Sequence, residues 1–330
     1  MASRKKREIT FWITVVILGI ALVYEAYFLI IKQGDYLREQ TKWVYHGVIN
    51  PNIPEDGSIK DPEFVRYPNH TAFQDEEGFY YIVASIFRTD NAMLTGILKT
   101  RDFNSYTCIG YMPLQMKGKI APYCIYNPED SKFYLYYSDW ENTVNRSTIL
   151  ARLGLAVGTN IRNPATFTDV GYLTIEESPE VLAPHFGWDP YIVNIGNTYY
   201  MLISAARYEV HLVKAETLGT AWSYVKTAVT GELENPALFR LDSRWYMLLG
   251  IHDGIGYDLY FSEDFLYWKL VKKNWFKDEQ YSILPAGSTC IIANGTFYHL
   301  YQTLIPNYKD DFQLSLASIK VEDLIAEINK

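Results

Sequence analysis

The chain has 330 residues, a formal net charge of −8, 48% hydrophobic residues and 28 tyrosines. This composition supports a large folded core, and an acidic chain whose basic run is confined to the N-terminus argues against nucleic-acid binding. Three cysteines without a CxxC pair make neither a disulfide framework nor a zinc site, and we expect no cofactor and no metal.

The N-terminal segment predicts a membrane anchor. Residues 1–8 form a basic tail, and residues 9–31 are almost entirely apolar. About 20 apolar residues span a bilayer as a helix, and the basic flank predicts that the N-terminus lies inside and the rest of the chain outside. We therefore expect a single-pass, type II membrane protein with a helical stalk at 32–43 and an extracellular or lumenal domain. A cleaved signal peptide is the alternative.

An aromatic pair opens a predicted strand five times along the rest of the chain, at intervals of 46 to 66 residues. Repeats of this length with several strands per unit are typical of a β-propeller. The sequence therefore predicts an all-β, five-bladed β-propeller at 44–320 that follows an N-terminal transmembrane helix, and a short C-terminal helix at 321–330. The pairs are Tyr80-Tyr81, Phe133-Tyr134, Tyr199-Tyr200, Trp245-Tyr246 and Phe297-Tyr298.

Two of the predicted blades start with an acidic residue close to a proline. In the third blade Asp189 directly precedes Pro190, and in the fourth blade Glu234 lies two residues before Pro236. Both prolines lie nine residues before the aromatic pair of their blade, so the two segments superpose. The inner strands of a propeller direct their first residues toward one shared channel, and we expect Asp189 and Glu234 to line a polar central site.

This arrangement resembles the five-bladed propeller glycosidases, most closely glycoside hydrolase family 43 and the related arabinanases, xylosidases and fructan-cleaving enzymes. The matching segments are WDPYIVNIGNTYYML, the Ala121-Pro122 start followed by KFYLYYSDW, the fourth-blade ENP followed by RWYML, and the closing SEDFLYW. The resemblance covers about residues 59–319. It implies a first-blade Asp as general base, a third-blade Asp that orients the acid, and a fourth-blade Glu as general acid. On this resemblance, Asp189 is the orienting carboxylate and Glu234 the acid.

The first predicted blade departs from the pattern at the position of the general base. The spacing that aligns the third and fourth blades puts the base at His70, whereas the Asp61-Pro62 pair lies nine residues earlier. Either a long insertion separates Asp61 from the next strand, or the base is missing. In the second case the protein is a non-catalytic glycan-binding or surface-assembly protein. A transferase or phosphorylase that uses the same pocket is a third possibility.

Five further residues near predicted strand starts and ends are candidates for substrate binding. An indole ring can stack on a sugar, and Arg or His can donate to a hydroxyl. Each of these residues is also compatible with core packing or a turn. The candidates are His70, Trp140, Trp188, Arg207 and His252.

The leading hypothesis is a membrane-anchored glycoside hydrolase that acts on an extracellular or cell-surface glycan, with an inverting acid/base mechanism if active.

Overall fold

The computed structural model divides into two compact units, Met1–Trp43 and Val44–Lys330. The residues that it describes are 19, 23–25, 42–49, 52, 57–88, 92–140, 151–179, 187–205, 208–251, 256–278, 287–304 and 312–330.

The predicted basic tail, membrane anchor and stalk fall almost wholly outside the described residues. Before residue 42, only residues 19 and 23–25 are described, and they are helical. Among the described residues, no helix combines the length and the apolar character needed to cross a membrane. The anchor and its orientation therefore stay predictions.

The second unit folds into five separate β-sheets, which confirms the prediction of an all-β, five-bladed propeller. Within the first four sheets the strands follow one another in chain order, and neighbouring strands are antiparallel apart from one short addition to blade 3. Blade 1 contains β2 (Ser58–Phe64), β3 (Tyr80–Phe87), β4 (Met93–Thr100) and β5 (Thr107–Tyr111). Blade 2 contains β6 (Lys119–Asn127), β7 (Lys132–Asp139), β8 (Arg152–Gly158) and β9 (Thr168–Tyr172).

Blade 3 gains a fifth strand, because the short β10 (Thr174–Glu176) pairs in parallel with its outermost strand. Its other strands are β11 (Trp188–Ile195), β12 (Thr198–Ala205), β13 (Glu209–Ala215) and β14 (Ala221–Val229). Blade 4 contains β15 (Leu233–Leu241), β16 (Arg244–Ile251), β17 (Tyr257–Ser262) and β18 (Lys269–Phe276).

Blade 5 joins the two ends of the propeller sequence. It contains β19 (Ser288–Ala293), β20 (Thr296–Leu304) and β21 (Phe312–Lys320), and its outermost strand is β1 (Val44–Ile49), which pairs with β21. Helix α1 (Val321–Ile328) follows β21. The first strands of the five blades, β2, β6, β11, β15 and β19, each contact the next around the ring and so enclose the central channel.

The repeated aromatic pairs open the second strand of each blade, as the sequence predicts. Each pair lies within the first three residues of β3, β7, β12, β16 or β20. The inner strands are buried on both faces because blades stack on one another, and this explains their nearly continuous apolar character. Pairs such as Tyr123 and Tyr191, with ring centroids 4.6 Å apart, fill the space between neighbouring blades.

Candidate functional site

Four of the five blades start with the same strained backbone feature. Asp61, Ala121, Asp189 and Asn235 each precede a proline, and each has a φ between +48° and +54°. The pairing with the second strand of the blade shifts register at each of these points, as in a β-bulge. A positive φ is uncommon for residues with a side chain, and bulges of this kind redirect side chains next to functional sites.

The bulge before each proline shows where the carboxylate of blade 1 lies. Asp61 occupies the same bulge as Asp189, and β2 pairs directly with β3. Residues 65–79 form the long insertion that separates the Asp61-Pro62 pair from the aromatic pair at Tyr80. The bulge also shows that Asn235, rather than Glu234, is the structural counterpart of Asp189. Glu234 lies one residue earlier and pairs with Gly250.

Asp61 and Asp189 face one narrow cavity where the inner strands begin, here called the carboxylate cavity. Its volume is about 20 Å³, which is room for about one water molecule. Glu63, Asn235 and Ser288 also line it. A sugar ring does not fit inside this volume.

The side chain of Asp61 is held by two neighbours in its own blade. The hydroxyl of Ser85 donates to Oδ2 at 2.8 Å, and the ammonium of Lys60 lies 3.6 Å from the same oxygen. Ser85 also accepts a hydrogen bond of 2.8 Å from the backbone N–H of Ala121, at the bulge of blade 2. Among the described residues, no group donates to the other carboxylate oxygen, Oδ1, of Asp61.

The carboxylates interact electrostatically with one another and with Lys60. Burial, together with the nearby Asp61 and Glu234, raises the pKa of Asp189 well above its ordinary value, and Lys60 opposes this change. Oδ2 of Asp189 is buried and accepts no hydrogen bond from the described part of the chain. Burial lowers the pKa of Lys60, but the three carboxylates outweigh it and the net pKa is raised.

Glu63 is a third carboxyl group that lines the same cavity, beside Asp61 and Asp189, and the sequence reasoning missed it. Burial raises its pKa to about 8, although Arg66 and the hydroxyl of Thr289 act in the opposite direction. Thr289 donates to Oε2 of Glu63 at 2.9 Å. At neutral pH this group therefore holds its proton.

The structure does not bring His70 to the carboxylate cavity. His70 lies in the 65–79 insertion, and its Nε2 is 2.8 Å from the hydroxyl of Tyr191. It borders a different pocket of about 420 Å³ with Arg66 and Arg240, at the opposite ends of the inner strands. Of the two alternatives, the long insertion explains why the spacing points to His70, because residues 65–79 take the chain to the other end of the channel while Asp61 occupies the bulge of blade 1.

Two predicted stacking residues pack against each other. The ring centroids of Trp140 and Trp188 are 6.1 Å apart, and Trp188 is only 4% exposed, so little of its surface is open to a sugar. Tyr208 covers another side of Trp188, with ring centroids 6.0 Å apart. Arg207 and His252 lie outside the described residues.

The other residues that sequence reasoning missed include a serine that repeats between blades. Ser85, Ser138 and Ser204 lie five residues after the start of the aromatic pair in their blades. Ser204 accepts a hydrogen bond of 3.2 Å from the N–H of Asn235, just as Ser85 does from Ala121. Their common spacing was a signal available in the sequence.

The comparisons with known proteins identify the fold. The sequence matches no protein-family model and no curated protein. Solved structures do match, and the resemblance to the five-bladed glycosidases is confirmed for the fold. The catalytic domain of a glycoside hydrolase family 62 α-L-arabinofuranosidase from Coprinopsis cinerea has a TM-score of 0.63 at 16% identity, with 84% of this chain and 96% of that chain covered.

Two further solved structures share this fold. A family 43 β-1,3-galactosidase with galactodeoxynojirimycin has a TM-score of 0.59 at 13% identity, with 78% of this chain and 90% of that chain covered. An α-L-arabinofuranosidase from Podospora anserina in complex with cellotriose has a TM-score of 0.60 at 11% identity, with 84% and 96% covered. At these identities the similarity establishes the architecture alone.

Proposed function

We propose that this protein is a glycoside hydrolase that cleaves a glycan at the carboxylate end of its propeller. The observation that carries the proposal is that Asp61 and Asp189 occupy equivalent bulges on one cavity and both interact electrostatically with Lys60, as Glu234 does. Hydrolysis of a glycosidic bond needs one carboxylic acid to protonate the leaving oxygen and one carboxylate to activate water or to attack carbon.

The three carboxyl groups take different roles in this mechanism. Asp61 is the general base, because Ser85 and Lys60 hold its Oδ2 and leave Oδ1 for a water molecule. Glu234 is the general acid, and Asp189 orients it. A cavity with room for about one water beside Asp61 suits direct attack by water, so we propose inversion at the anomeric carbon.

Single substitutions on the full-length protein in detergent test this proposal. A panel of aryl α-L-arabinofuranosides, β-D-xylosides and β-D-galactosides would first identify the cleaved substrate. We expect Asp61→Asn, Asp189→Asn and Glu234→Gln each to lower kcat/KM about 100-fold or more, which is typical of the loss of a general acid or base. Glu232→Gln is the matched control, since Glu232 is exposed two residues before Glu234.

Two outcomes would count against hydrolysis. Unchanged turnover in Glu234→Gln would eliminate Glu234 as the acid. Glycan binding without cleavage of any substrate would favour the non-catalytic glycan-binding alternative. The melting temperature of each variant separates a loss of chemistry from a loss of folding.

We also propose that residues 9–31 anchor the protein in a membrane with the propeller outside. The support is the apolar run behind a basic tail. Protease added to sealed cells tests this orientation, and complete protection of the propeller would refute it.

A further inference from the structure

A third pocket, larger than the one that His70 borders, also lies at the ends of the inner strands opposite to the carboxylate cavity. It has a volume of about 600 Å³, and its lining includes Asn127 at the end of β6 and Asn194 near the end of β11. Asn194 follows Asp189 by five residues in the same strand, which corresponds to about 16 Å at the usual rise of a β-strand. This pocket, here called the Asn194 pocket, is therefore separate from the carboxylate cavity.

The 65–79 insertion builds one wall of this pocket, through Tyr67, Pro68, Asn69 and Thr71. The N–H of Asn194 donates to the carbonyl of Pro68 at 2.8 Å, and the N–H of Tyr126 donates to the carbonyl of Arg66 at 2.8 Å. The ring of Tyr67 also packs against Tyr126, with centroids 5.7 Å apart. The wall is thus fixed to blades 2 and 3, and a preformed pocket avoids much of the entropic cost of binding.

The polar side chains of the pocket have unused hydrogen-bonding capacity. In the part of the chain that the structure describes, the side chains of Asn194, Asn197, Glu129, Glu216 and Tyr199 form no hydrogen bond although all five line the pocket. An amide offers both a donor and an acceptor, and a carboxylate accepts from hydroxyl groups. This set matches a ligand that presents many hydroxyls, each of which donates and accepts.

The charge and the aromatic lining narrow the class of ligand. Glu129 and Glu216 are the charged residues on the pocket, and no Lys, Arg or His lines it among the described residues. An anionic ligand such as a phosphate or a uronic acid would be repelled. The partly buried ring of Tyr199 offers an apolar surface of the kind on which a sugar ring packs.

We propose that the Asn194 pocket is a second binding site, specific for a neutral oligosaccharide. The site binds the glycan without cleaving it, and it does not depend on hydrolysis at the carboxylate cavity. It would hold a polymeric substrate or a neighbouring glycan on the far side of the propeller.

Titration calorimetry and saturation-transfer NMR on the full-length protein in detergent test this proposal. The probes are xylotriose, cellotriose and β-1,3-galactotriose, with trigalacturonate as the anionic comparison. The protein carries Glu234→Gln to prevent turnover. It is produced in a host that adds no N-glycans, since Asn69 of the Asn-His-Thr sequon borders the same pocket.

We expect at least one neutral trisaccharide to bind, and Asn194→Ala combined with Glu216→Gln to weaken this binding tenfold or more. The matched control combines Asn104→Ala and Glu263→Gln, two exposed residues outside the pocket, and should leave the affinity unchanged. In the background with Glu234 intact, the pocket variant should hydrolyse small aryl glycosides as fast as the unmodified protein.

Three results would overturn the proposal. The first is trisaccharide binding that survives the pocket variant and disappears in Asp189→Asn, which would leave the carboxylate cavity as the sole glycan site. The second is no binding of any neutral trisaccharide at concentrations up to about 10 mM, where millimolar affinities are measurable. The third is binding of trigalacturonate or of a lysine tripeptide in preference to the neutral sugars.

Discussion

Gly287 lies directly against the backbone of Asp61. A Cβ placed on Gly287 would fall 2.7 Å from Cα of Asp61 and 2.9 Å from its Oδ1, both too short for real contacts. The start of blade 5 therefore presses on the proposed general base from the neighbouring blade, and the absence of a side chain at position 287 sets where Asp61 can lie.

Gly287→Ala should displace Asp61 and so lower both activity and stability. Overpacking of this kind destabilises a core by about 1–3 kcal/mol, and we expect kcat/KM to fall about tenfold or more. Gly219→Ala is the control, since nothing lies within 4 Å of a Cβ there. Steady-state kinetics measure the change in kcat/KM, and urea unfolding measures the change in stability. Equal values of both quantities in Gly287→Ala and Gly219→Ala would show that the close approach of Gly287 to Asp61 does not matter.

Ser85→Ala should be costly, whereas the equivalent Ser138→Ala should be nearly neutral. Removal of the Ser85 hydroxyl takes one hydrogen bond from Asp61 and leaves the N–H of Ala121 buried without its partner. We expect a loss of about 1–3 kcal/mol in the free energy of unfolding, and lower kcat/KM. The buried hydroxyl of Ser138 has no hydrogen-bond partner among the residues that the structure describes, so we expect its removal to cost little. Chemical denaturation of both variants checks this difference, which similar losses would refute.

Glu63→Gln should change how stability depends on pH. Folded Glu63 keeps its proton up to about pH 8, whereas in the unfolded chain it loses the proton near its ordinary pKa of 4.5. The stabilisation from this group is therefore complete below pH 4.5 and is lost as the pH rises through about 8.

We accordingly expect the free energy of unfolding of the unmodified protein to fall between pH 5 and pH 8, and to fall less in Glu63→Gln. Denaturation across this range measures the two slopes. Glu77→Gln, at an exposed carboxylate, should keep the slope of the unmodified protein. Parallel slopes for Glu63→Gln and the unmodified protein would show that Glu63 is ionised when folded.

Lys60→Met should move the acid limb of the activity profile to higher pH. The positive charge of Lys60 lowers the pKa of Asp189, so its removal should raise that pKa further. If ionised Asp189 is needed for hydrolysis, the limb of kcat/KM at low pH should shift to higher pH. Lys99→Met is a suitable control, because Lys99 lies over the ring of Phe79 as Lys60 lies over the ring of Phe87. If the dependence of kcat/KM on pH does not shift in Lys60→Met, Lys60 does not influence the ionisation that hydrolysis requires.

Much of the fold could be read from the sequence, because the aromatic pairs repeat at the same place in every blade. The position of Asp189 on the central cavity could also be predicted, since the short connection to the next strand preserves a constant spacing, whereas the role of Glu234 stays a prediction. The position of Asp61 was harder to predict. Spacing counted back from Tyr80 leads into the 65–79 insertion, whereas the Asp-Pro pair itself marks the bulge.

Other parts of the candidate site could not be predicted, because they depend on contacts between blades. Glu63 has an unusual pKa only because it is buried beside Thr289 from blade 5. The contact of Gly287 with Asp61 joins residues far apart in the chain. The burial of Trp188 by Trp140 and Tyr208 likewise comes from packing, which the sequence pattern does not specify.

The pairing of β1 with β21 has a consequence for biosynthesis. β1 leaves the ribosome before all the other strands of the propeller, yet its partner is the last strand to be made. Contacts between residues so distant in sequence form slowly, and each of the two strands presents an unpaired edge until they meet. Until β1 and β21 pair, the newly made propeller is therefore an open ring with two unpaired strand edges that can pair with other chains. Shielding those edges from other chains, for example by a chaperone, should raise the yield of closed propellers.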